Sequence, residues 1–316
     1  MSGTGDVSAG LGALAPSLKQ NNKGAFMLGQ RVITAIILLA VLVAVVSIPN
    51  PVYFNCFVSL AASAAFWEWL RLTLPKACKG KGIEYAGGII LFMLFLGGSI
   101  YLPKIIADDS PYLSLFNEAG LFFVVLSAFV WLLLIPVVLY RARLDPSGQN
   151  FLHALFGFIT IVATWYAIIT LYLIHGAWFV FSYLILIWCA DIFAYFGGKY
   201  FGGAKLAPKI SPGKTRSGAV CGILASMIWM LASAFIENSF SYFMLQQSSI
   251  LLIPAVGLLL AVYSIFGDLY ESLLKRRAGF KDSSHLLPGH GGVWDRLDSV
   301  LSVSPIAMLI WYLLIH

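Results

Sequence analysis

The sequence predicts an all-α, polytopic integral membrane protein with about nine transmembrane helices. Of its 316 residues, 60% are apolar and 11% are charged, whereas soluble domains carry roughly 25% charged residues. The mean hydropathy is +0.88. A helix needs about 20 apolar residues to cross the hydrocarbon core of a bilayer. Nine stretches meet or approach this length: 32–49, 53–74, 85–103, 119–140, 151–174, 178–197, 217–236, 249–267 and 299–315.

The charges between these stretches predict their orientation. With nine spans and the N-terminus in the cytoplasm, 19 of the 20 Lys and Arg residues fall on the cytoplasmic side, as the positive-inside rule requires. Between the fifth and sixth stretches, the pair His175-Gly176 predicts a tight turn rather than one long helix. The net charge of +6 therefore indicates loops that face anionic lipid, and nucleic-acid binding is not expected.

The stretches before residue 180 carry few side chains that indicate chemistry. Glu68 and Arg71 lie three residues apart at the end of the second stretch, so they can pair on one helix face. His153 is interpreted as a packing or interfacial histidine. The cysteines form no CxxC pair, which favours buried apolar side chains over a metal site or a disulfide framework: Cys56, Cys78, Cys189 and Cys221.

The sixth stretch contains Asp191, a carboxylate deep in an apolar run. Such a charge costs roughly 2.5–3.5 kcal/mol on insertion, so Asp191 has either a function or a structural partner on another helix. Lys205, Ser211 and Lys214 follow in a glycine-rich segment that suits phosphate contact. Its Gly-Lys-Thr sequence resembles the end of a P-loop, but Pro208 stands where that motif needs its first glycine. A nucleotide-hydrolase site is therefore not predicted.

The longest polar run lies between the last two stretches, from Ser272 to Asp298. It begins with cations, continues through a Pro-Gly-His-Gly-Gly turn and ends in an Asp-Arg-Leu-Asp sequence. Cations bind phosphates, glycines let backbone amides approach an anion, and carboxylates bind hard divalent metals. The run therefore predicts a site for a polyphosphate together with its metal ion.

A dozen positions of this run are similar to the signature of the phosphatidate cytidylyltransferase family, also called CDP-diacylglycerol synthases. The resemblance implies the reaction of that family, in which CTP and phosphatidate give CDP-diacylglycerol and pyrophosphate with the help of Mg²⁺. The matching positions are Ser272, Lys275, Arg276, Lys281, Asp282, Pro288, His290, Gly291, Gly292, Asp295, Arg296 and Asp298.

Residues 191–215 resemble a second region of the same family, with one departure. After Lys-Thr the family commonly has Trp-Glu-Gly, whereas this chain has Arg216 and Ser217 before the glycine. The specific resemblance covers roughly residues 185 to 300. It divides the chain into a disordered cytoplasmic tail (1–30), N-terminal membrane helices (31–180) and a catalytic membrane region with two polar cytoplasmic loops (181–316).

The spacing of the acidic residues predicts how they meet. Asp268 ends the eighth stretch, and Asp295 and Asp298 are three residues apart, so a helix would place these two on one face. We expect the three aspartates to bind Mg²⁺ together with triphosphate oxygens. Lys275 is a further catalytic candidate, and His290 binds phosphate, protonates pyrophosphate or stabilises its turn. The predicted substrate-binding residues are Asp191, Lys205, Ser211, Lys214, Ser272, Arg276, Lys281, Asp282 and Arg296.

Two other functions fit the sequence less well. A CDP-alcohol phosphotransferase would need an Asp-Gly pair ahead of an Ala-Arg pair and two aspartates four residues apart, which this chain lacks. A secondary transporter could use Asp191 and Asp268 as ion ligands, but the sequence has no inverted repeat. The expected partners are CTP, phosphatidate and the lipid bilayer, without nucleic acid, and a homodimer is allowed. The predicted location is the inner membrane of a bacterium, with the active site facing the cytoplasm.

Overall fold

The computed structural model describes residues 32–75, 78, 81–108, 110–144 and 150–316, so the tail predicted over 1–30 lies outside the described residues. The described part forms eleven α-helices, one π-helical turn and one two-stranded hairpin. The helices are α1 (Val32–Ser47), α2 (Pro51–Thr73), α3 (Ile83–Ala107), α4 (Tyr112–Phe129), α5 (Ile135–Arg141), α6 (Asn150–His175), α7 (Ala177–Phe201), α8 (Arg216–Ser233), α9 (Phe240–Gln247), α10 (Leu252–Ala278) and α11 (Trp294–Ile315); the π-helical turn is Val130–Leu134, and the strands are β1 (Lys205–Ala207) and β2 (Ser211–Thr215).

Local sequence signals explain several helix boundaries. Asn50 caps α2, because its side-chain oxygen accepts a hydrogen bond of 3.0 Å from the backbone N–H two residues later. Thr215 caps α8 through a hydrogen bond of 3.1 Å from the backbone N–H three residues later. Gly176, with a φ of 85°, separates α6 from α7. The break predicted after His175 is therefore confirmed.

Seven helices of the described residues are long and apolar enough to cross a membrane: α3, the continuous rod Tyr112–Arg141, α6, α7, α8, α10 and α11. Each overlaps one of the predicted stretches. The other two predicted stretches coincide with α1, a shorter apolar helix, and with α2, which buries the polar side chains of Asn55, Ser59 and Glu68. The chain is an all-α integral membrane protein, while the count of nine spans and the N-terminal orientation stay predictions.

The last two membrane helices are longer than their apolar runs. The apolar run of the eighth stretch ends at residue 267, and α10 continues through the following polar segment to Ala278. The ninth was predicted to begin at residue 299, but α11 begins at Trp294. The acidic residues of the polar run consequently lie on regular helices, and their side chains have fixed directions.

Large aromatic rings fill the space between α2, α6, α10 and α11. The indole rings of Trp69 and Trp294 are stacked with their centroids 4.1 Å apart. The buried Tyr270 ring packs edge-on against Trp131, with the centroids at 5.6 Å. Burial of rings of this size, in stacked and edge-on pairs, is strongly stabilising. This core brings the end of α2 to the beginning of α11, although the two are far apart in sequence.

The second polar stretch forms a small antiparallel hairpin, β1 and β2, which the all-α prediction did not include. Ile210, in the turn, is 2% exposed and packs against Leu269 and Leu273 of α10. This apolar contact anchors the hairpin on α10. The cations of the hairpin are thereby held near the polar end of that helix.

Candidate active site

Three helices and the hairpin bring four charged side chains together, and we name this group the open carboxylate cluster. Its members are Asp191 on α7, Lys214 on β2, Asp268 on α10 and Asp298 on α11. Lys214 Nζ forms an ion pair with Asp268 Oδ2, and both side chains are 29% exposed. The Asp298 carboxylate interacts electrostatically with all three other members. Three carboxylates therefore share one ammonium group.

The three carboxylates of the open carboxylate cluster outnumber its single ammonium group, an arrangement that favours binding of a cation. Among the described residues, no three Asp, Glu, His or Cys side chains are arranged to hold a metal ion by protein ligands alone. Mg²⁺ rarely uses such a cage, since it keeps waters and binds one or two carboxylates plus substrate phosphates. Asp268 and Asp298 therefore fit an ion that arrives with a triphosphate. Mg²⁺ itself stays a prediction.

A second group, which we name the closed carboxylate cluster, consists of Glu271 and Lys275 on α10 and Asp295 on α11. Lys275 Nζ donates to Glu271 Oε2 at 2.9 Å and to Asp295 Oδ1 at 2.5 Å. Asp295 Oδ2 accepts further hydrogen bonds from Ser283 N at 2.9 Å, from Ser283 Oγ at 2.9 Å and from Gly292 N at 2.7 Å. The predicted role of Asp295 as a metal ligand therefore competes with four donors of the protein.

Glu68 of α2 contacts the loop before α11 and the beginning of α11, which sequence reasoning missed. Its carboxylate is fully buried, whereas Arg71, the expected partner, lies over the Phe280 ring at 5.0 Å from the centroid. An acidic residue within an apolar stretch was the available signal, because such a residue needs a partner. The donors to Glu68 are Ser283 Oγ at 2.8 Å, Ser284 Oγ at 2.6 Å, Val293 N at 3.0 Å and Trp294 N at 2.7 Å.

The carboxylates of Asp295 and Glu68 explain why positions 291 and 292 of the turn are glycines. Gly291 has a φ of 85°, and a Cβ there would lie 2.6 Å from Asp295 Oδ2. A Cβ at Gly292 would lie 2.5 Å from Glu68 Oε2. Glycine was expected to let the backbone approach an anion. The anions at these two glycines are the protein's own carboxylates.

The other predicted substrate-binding residues differ in exposure and in whether their side chains form hydrogen bonds within the protein. Arg276 Nε donates to Ile210 O at 3.5 Å, which ties the hairpin to α10. Arg296 Nη2 donates to His290 O at 2.8 Å, which closes the turn on α11. His290 Nδ1 is buried and has no hydrogen-bond partner within the described part of the chain. Lys205 and Lys281 are exposed, and Ser211, Ser272 and Asp282 are half-buried.

The departure from the family pattern at Ser217 has a structural counterpart. Ser217 Oγ donates to Gly202 O at 2.5 Å and lies 3.2 Å from Thr215 Oγ1. It therefore joins the base of the hairpin to the start of α8, where the resemblance leads one to expect a carboxylate.

The chain is similar to known proteins over nearly its whole length. A cytidylyltransferase family model matches residues 29–314. A phosphatidate cytidylyltransferase of Pseudomonas aeruginosa is 35% identical over 90% of this chain and 97% of the relative. Proteins of the same name from Haemophilus influenzae and Bacillus subtilis are 33% and 32% identical, over 88% and 87% of this chain and 96% and 94% of their own lengths.

Proposed function

The chain belongs to the cytidylyltransferase family, and we propose that the open and closed carboxylate clusters together form its active site. The reaction transfers CMP from CTP to phosphatidate and yields CDP-diacylglycerol and pyrophosphate, a step of phospholipid biosynthesis. The resemblance seen in the sequence is thereby confirmed. The observation that supports the location of the site is that three carboxyl groups, those of Asp191, Asp268 and Asp298, converge beside a single lysine, Lys214.

The open carboxylate cluster suits a triphosphate that carries Mg²⁺. Asp268 and Asp298 would hold the ion, and Asp295 would join them once the Lys275 ammonium group turns from its carboxylate towards a phosphate. When bound, Mg²⁺ neutralises phosphate charge and stabilises the leaving pyrophosphate. The same turn of Lys275 would add a cation to the phosphates, so the closed carboxylate cluster also serves CTP.

The reaction depends on positioned phosphates more than on a covalent nucleophile. A phosphate oxygen of phosphatidate bonds to the α-phosphorus of CTP, while the bond from that phosphorus to pyrophosphate breaks. The lipid phosphate is ionised at neutral pH, so no protein base has to remove a proton. His290 Nδ1 is buried and has no partner among the residues that the structure describes, so it can hold or protonate pyrophosphate. Positive charge for the phosphates comes from Lys214, Lys275, Arg276 and Lys281.

An assay of the purified chain tests this proposal. Radiolabelled CTP, phosphatidate and Mg²⁺ should give lipid-soluble label, and omission of any one of the three should abolish it. A transporter or a scaffold would give no lipid-soluble label under any condition. Full turnover after removal of divalent ions by a chelator would contradict the role given to Mg²⁺.

We further propose nine spans, with the N-terminus and the active site on the cytoplasmic side of a bacterial plasma membrane. Ser283 is fully buried, so the exposed His285 is the position for a topology test. In a cysteine-free background, His285→Cys should react with an impermeant thiol reagent only after cells are opened. Glu237→Cys, exposed and on the predicted outer side, should react in intact cells. Labelling of His285→Cys in intact cells would contradict this topology.

We also propose that the protein forms a homodimer, although a single chain forms the whole proposed site. Both carboxylate clusters are built from a single chain, so the proposed chemistry does not require a partner subunit. Native mass spectrometry of the detergent-solubilised protein should show a species of twice the chain mass, and a monomer alone would contradict the dimer.

A further inference from the structure

Glu68 caps the beginning of α11 although it lies outside the family signature. It accepts hydrogen bonds from Val293 N at 3.0 Å and from Trp294 N at 2.7 Å. Val293, the N-cap residue of α11, has no side-chain cap of its own. The first N–H groups of a helix lack partners within the helix, and this end carries partial positive charge. A buried carboxylate from α2 satisfies both needs.

Ser283 connects Glu68 with Asp295. Its Oγ lies 2.8 Å from Glu68 Oε2 and 2.9 Å from Asp295 Oδ2. A hydroxyl group has a single proton, so Ser283 donates to only one of the two carboxylates at a time. A change at Glu68 therefore changes the hydrogen bond that Asp295 Oδ2 receives. The neighbouring Ser284 donates to the other oxygen of Glu68, at 2.6 Å.

We propose that Glu68 is a positioning residue for cytidylyl transfer, which acts on Asp295 through Ser283 and through the start of α11. This inference rests on the proposed active site. Because the loop holds Asp295 Oδ2, the other oxygen, Oδ1, is directed at Lys275, 2.5 Å away. Gly292 belongs to the same arrangement, since a Cβ there would lie 2.6 Å from Glu68 Oε1. The Glu68 carboxylate thus fills the space beside the turn and fixes its path.

An amide of the same size cannot replace this carboxylate. Val293 N contacts Oε1 of Glu68 and Trp294 N contacts Oε2. In Glu68→Gln one of these two N–H groups faces the NH₂ group, whichever way the amide is turned, and two donors then oppose each other. We expect Glu68→Gln to lower kcat by about tenfold or more. The KM for phosphatidate should stay within about twofold, because ground-state binding of the lipid is untouched.

Hydrogen exchange gives a readout that is independent of turnover. The backbone amides of Val293 and Trp294 should exchange faster in Glu68→Gln than in the wild type, because the buried acceptor of one of them is lost. Unchanged exchange at both amides together with an unchanged kcat would overturn the proposal.

Ser283→Ala and Ser284→Ala form a matched pair, because each removes one buried hydroxyl group that donates to Glu68. Both should lower the unfolding temperature by a similar amount. Only Ser283→Ala should also lower kcat, by about tenfold, and it should have little further effect when combined with Glu68→Gln. This pair decides the question even if Glu68→Gln does not fold.

Equal losses of kcat in Ser283→Ala and Ser284→Ala would overturn the route through Ser283. Asp295→Asn separates this result from a failure of the proposed active site. If Asp295→Asn keeps wild-type turnover, the location of the active site is wrong. If its turnover falls by about 100-fold or more while the two serine variants behave alike, the active site stands and the role of Glu68 is rejected.

Discussion

The open and closed carboxylate clusters share helices α10 and α11, but they differ in how many hydrogen-bond donors the protein supplies to their carboxylates. Asp295 receives donors at both of its oxygens, and the Glu271 and Asp295 side chains are 2% and 6% exposed. In the open carboxylate cluster, Lys214 and Asp268 are each 29% exposed. Three carboxylates there interact around one lysine.

This difference indicates which of the two clusters is expected to bind a ligand. A buried carboxylate with donors at both oxygens, such as that of Asp295, is stable without any ligand, and removing a partner is costly. Glu271 Oε2 accepts from Lys275, whereas Glu271 Oε1 is buried with no hydrogen-bond partner among the described residues. Neighbouring carboxylates that outnumber their ammonium partner, as around Lys214, are stabilised further when another cation joins them. We therefore expect the closed carboxylate cluster to support the loop, and we propose that the open carboxylate cluster binds the metal ion and the phosphates. Glu271 also interacts electrostatically with Asp298, so the two clusters are linked.

The largest effect is expected for Asp268→Asn in the open carboxylate cluster. Loss of this carboxylate removes charge stabilisation of the phosphates, and turnover should fall by about 1,000-fold. The free energy of unfolding should change by less than about 1 kcal/mol, because the ion pair with Lys214 is partly exposed and screened. Radiolabelled CTP conversion and thermal unfolding in detergent measure the two quantities.

The control for this experiment is Asp108→Asn, since Asp108 is exposed at the end of α3. It should keep full turnover and stability. A loss of more than about 2 kcal/mol of unfolding free energy in Asp268→Asn would contradict the comparison, because the open carboxylate cluster would then be a structural element.

A smaller loss of turnover and a larger loss of stability are expected for Asp295→Asn in the closed carboxylate cluster. The substitution weakens the ion pair with Lys275 and places an NH₂ group against donors of the loop. Turnover should fall by about 100-fold, and the free energy of unfolding should fall by about 2–3 kcal/mol. If Asp295→Asn unfolds like the wild type while Asp268→Asn is destabilised, the assignment of the two clusters is reversed.

Much of this arrangement could be predicted because it depends on local sequence. Apolar runs of about 20 residues locate seven helices, and the His-Gly break after α6 follows from turn chemistry. The three-residue spacing of Asp295 and Asp298 indicates one face of a helix, and both lie on α11. Residues from α7, the hairpin, α10 and α11 meet at the proposed active site, as the resemblance to the family implied.

What could not be predicted depends on contacts between distant parts of the chain. Glu68 and Trp294 are separated by 226 positions, and no periodicity in α2 indicates that pairing. Ser283 is not part of the matched signature, yet it touches both buried carboxylates. The hairpin forms because Ile210 finds an apolar surface on α10, which is a property of the packed helices and not of the segment itself.

The smallest expected effect concerns the coupling of the two clusters through their lysines. Lys214 belongs to the open and Lys275 to the closed carboxylate cluster. If both contact the phosphates of one CTP, Lys214→Ala and Lys275→Ala should each lower kcat/KM for CTP, and the double variant should lose less than the sum of the two losses in free energy. Groups that share one ligand typically couple by about 0.5–3 kcal/mol. A double-mutant cycle at saturating phosphatidate measures this coupling.

Lys209 provides the control for this cycle, because it is exposed in the hairpin turn and lies outside both clusters. The pair Lys209→Ala and Lys275→Ala should be additive to within about 0.5 kcal/mol, as distant sites are. If the free-energy losses of Lys214→Ala and Lys275→Ala were also additive, the two clusters would not bind the same triphosphate. Lys214 would then serve the phosphatidate phosphate, and the polar run of α10 and α11 alone would bind CTP. If only the pair of Lys214 and Lys275 shows coupling, the open and the closed carboxylate clusters act on a single ligand.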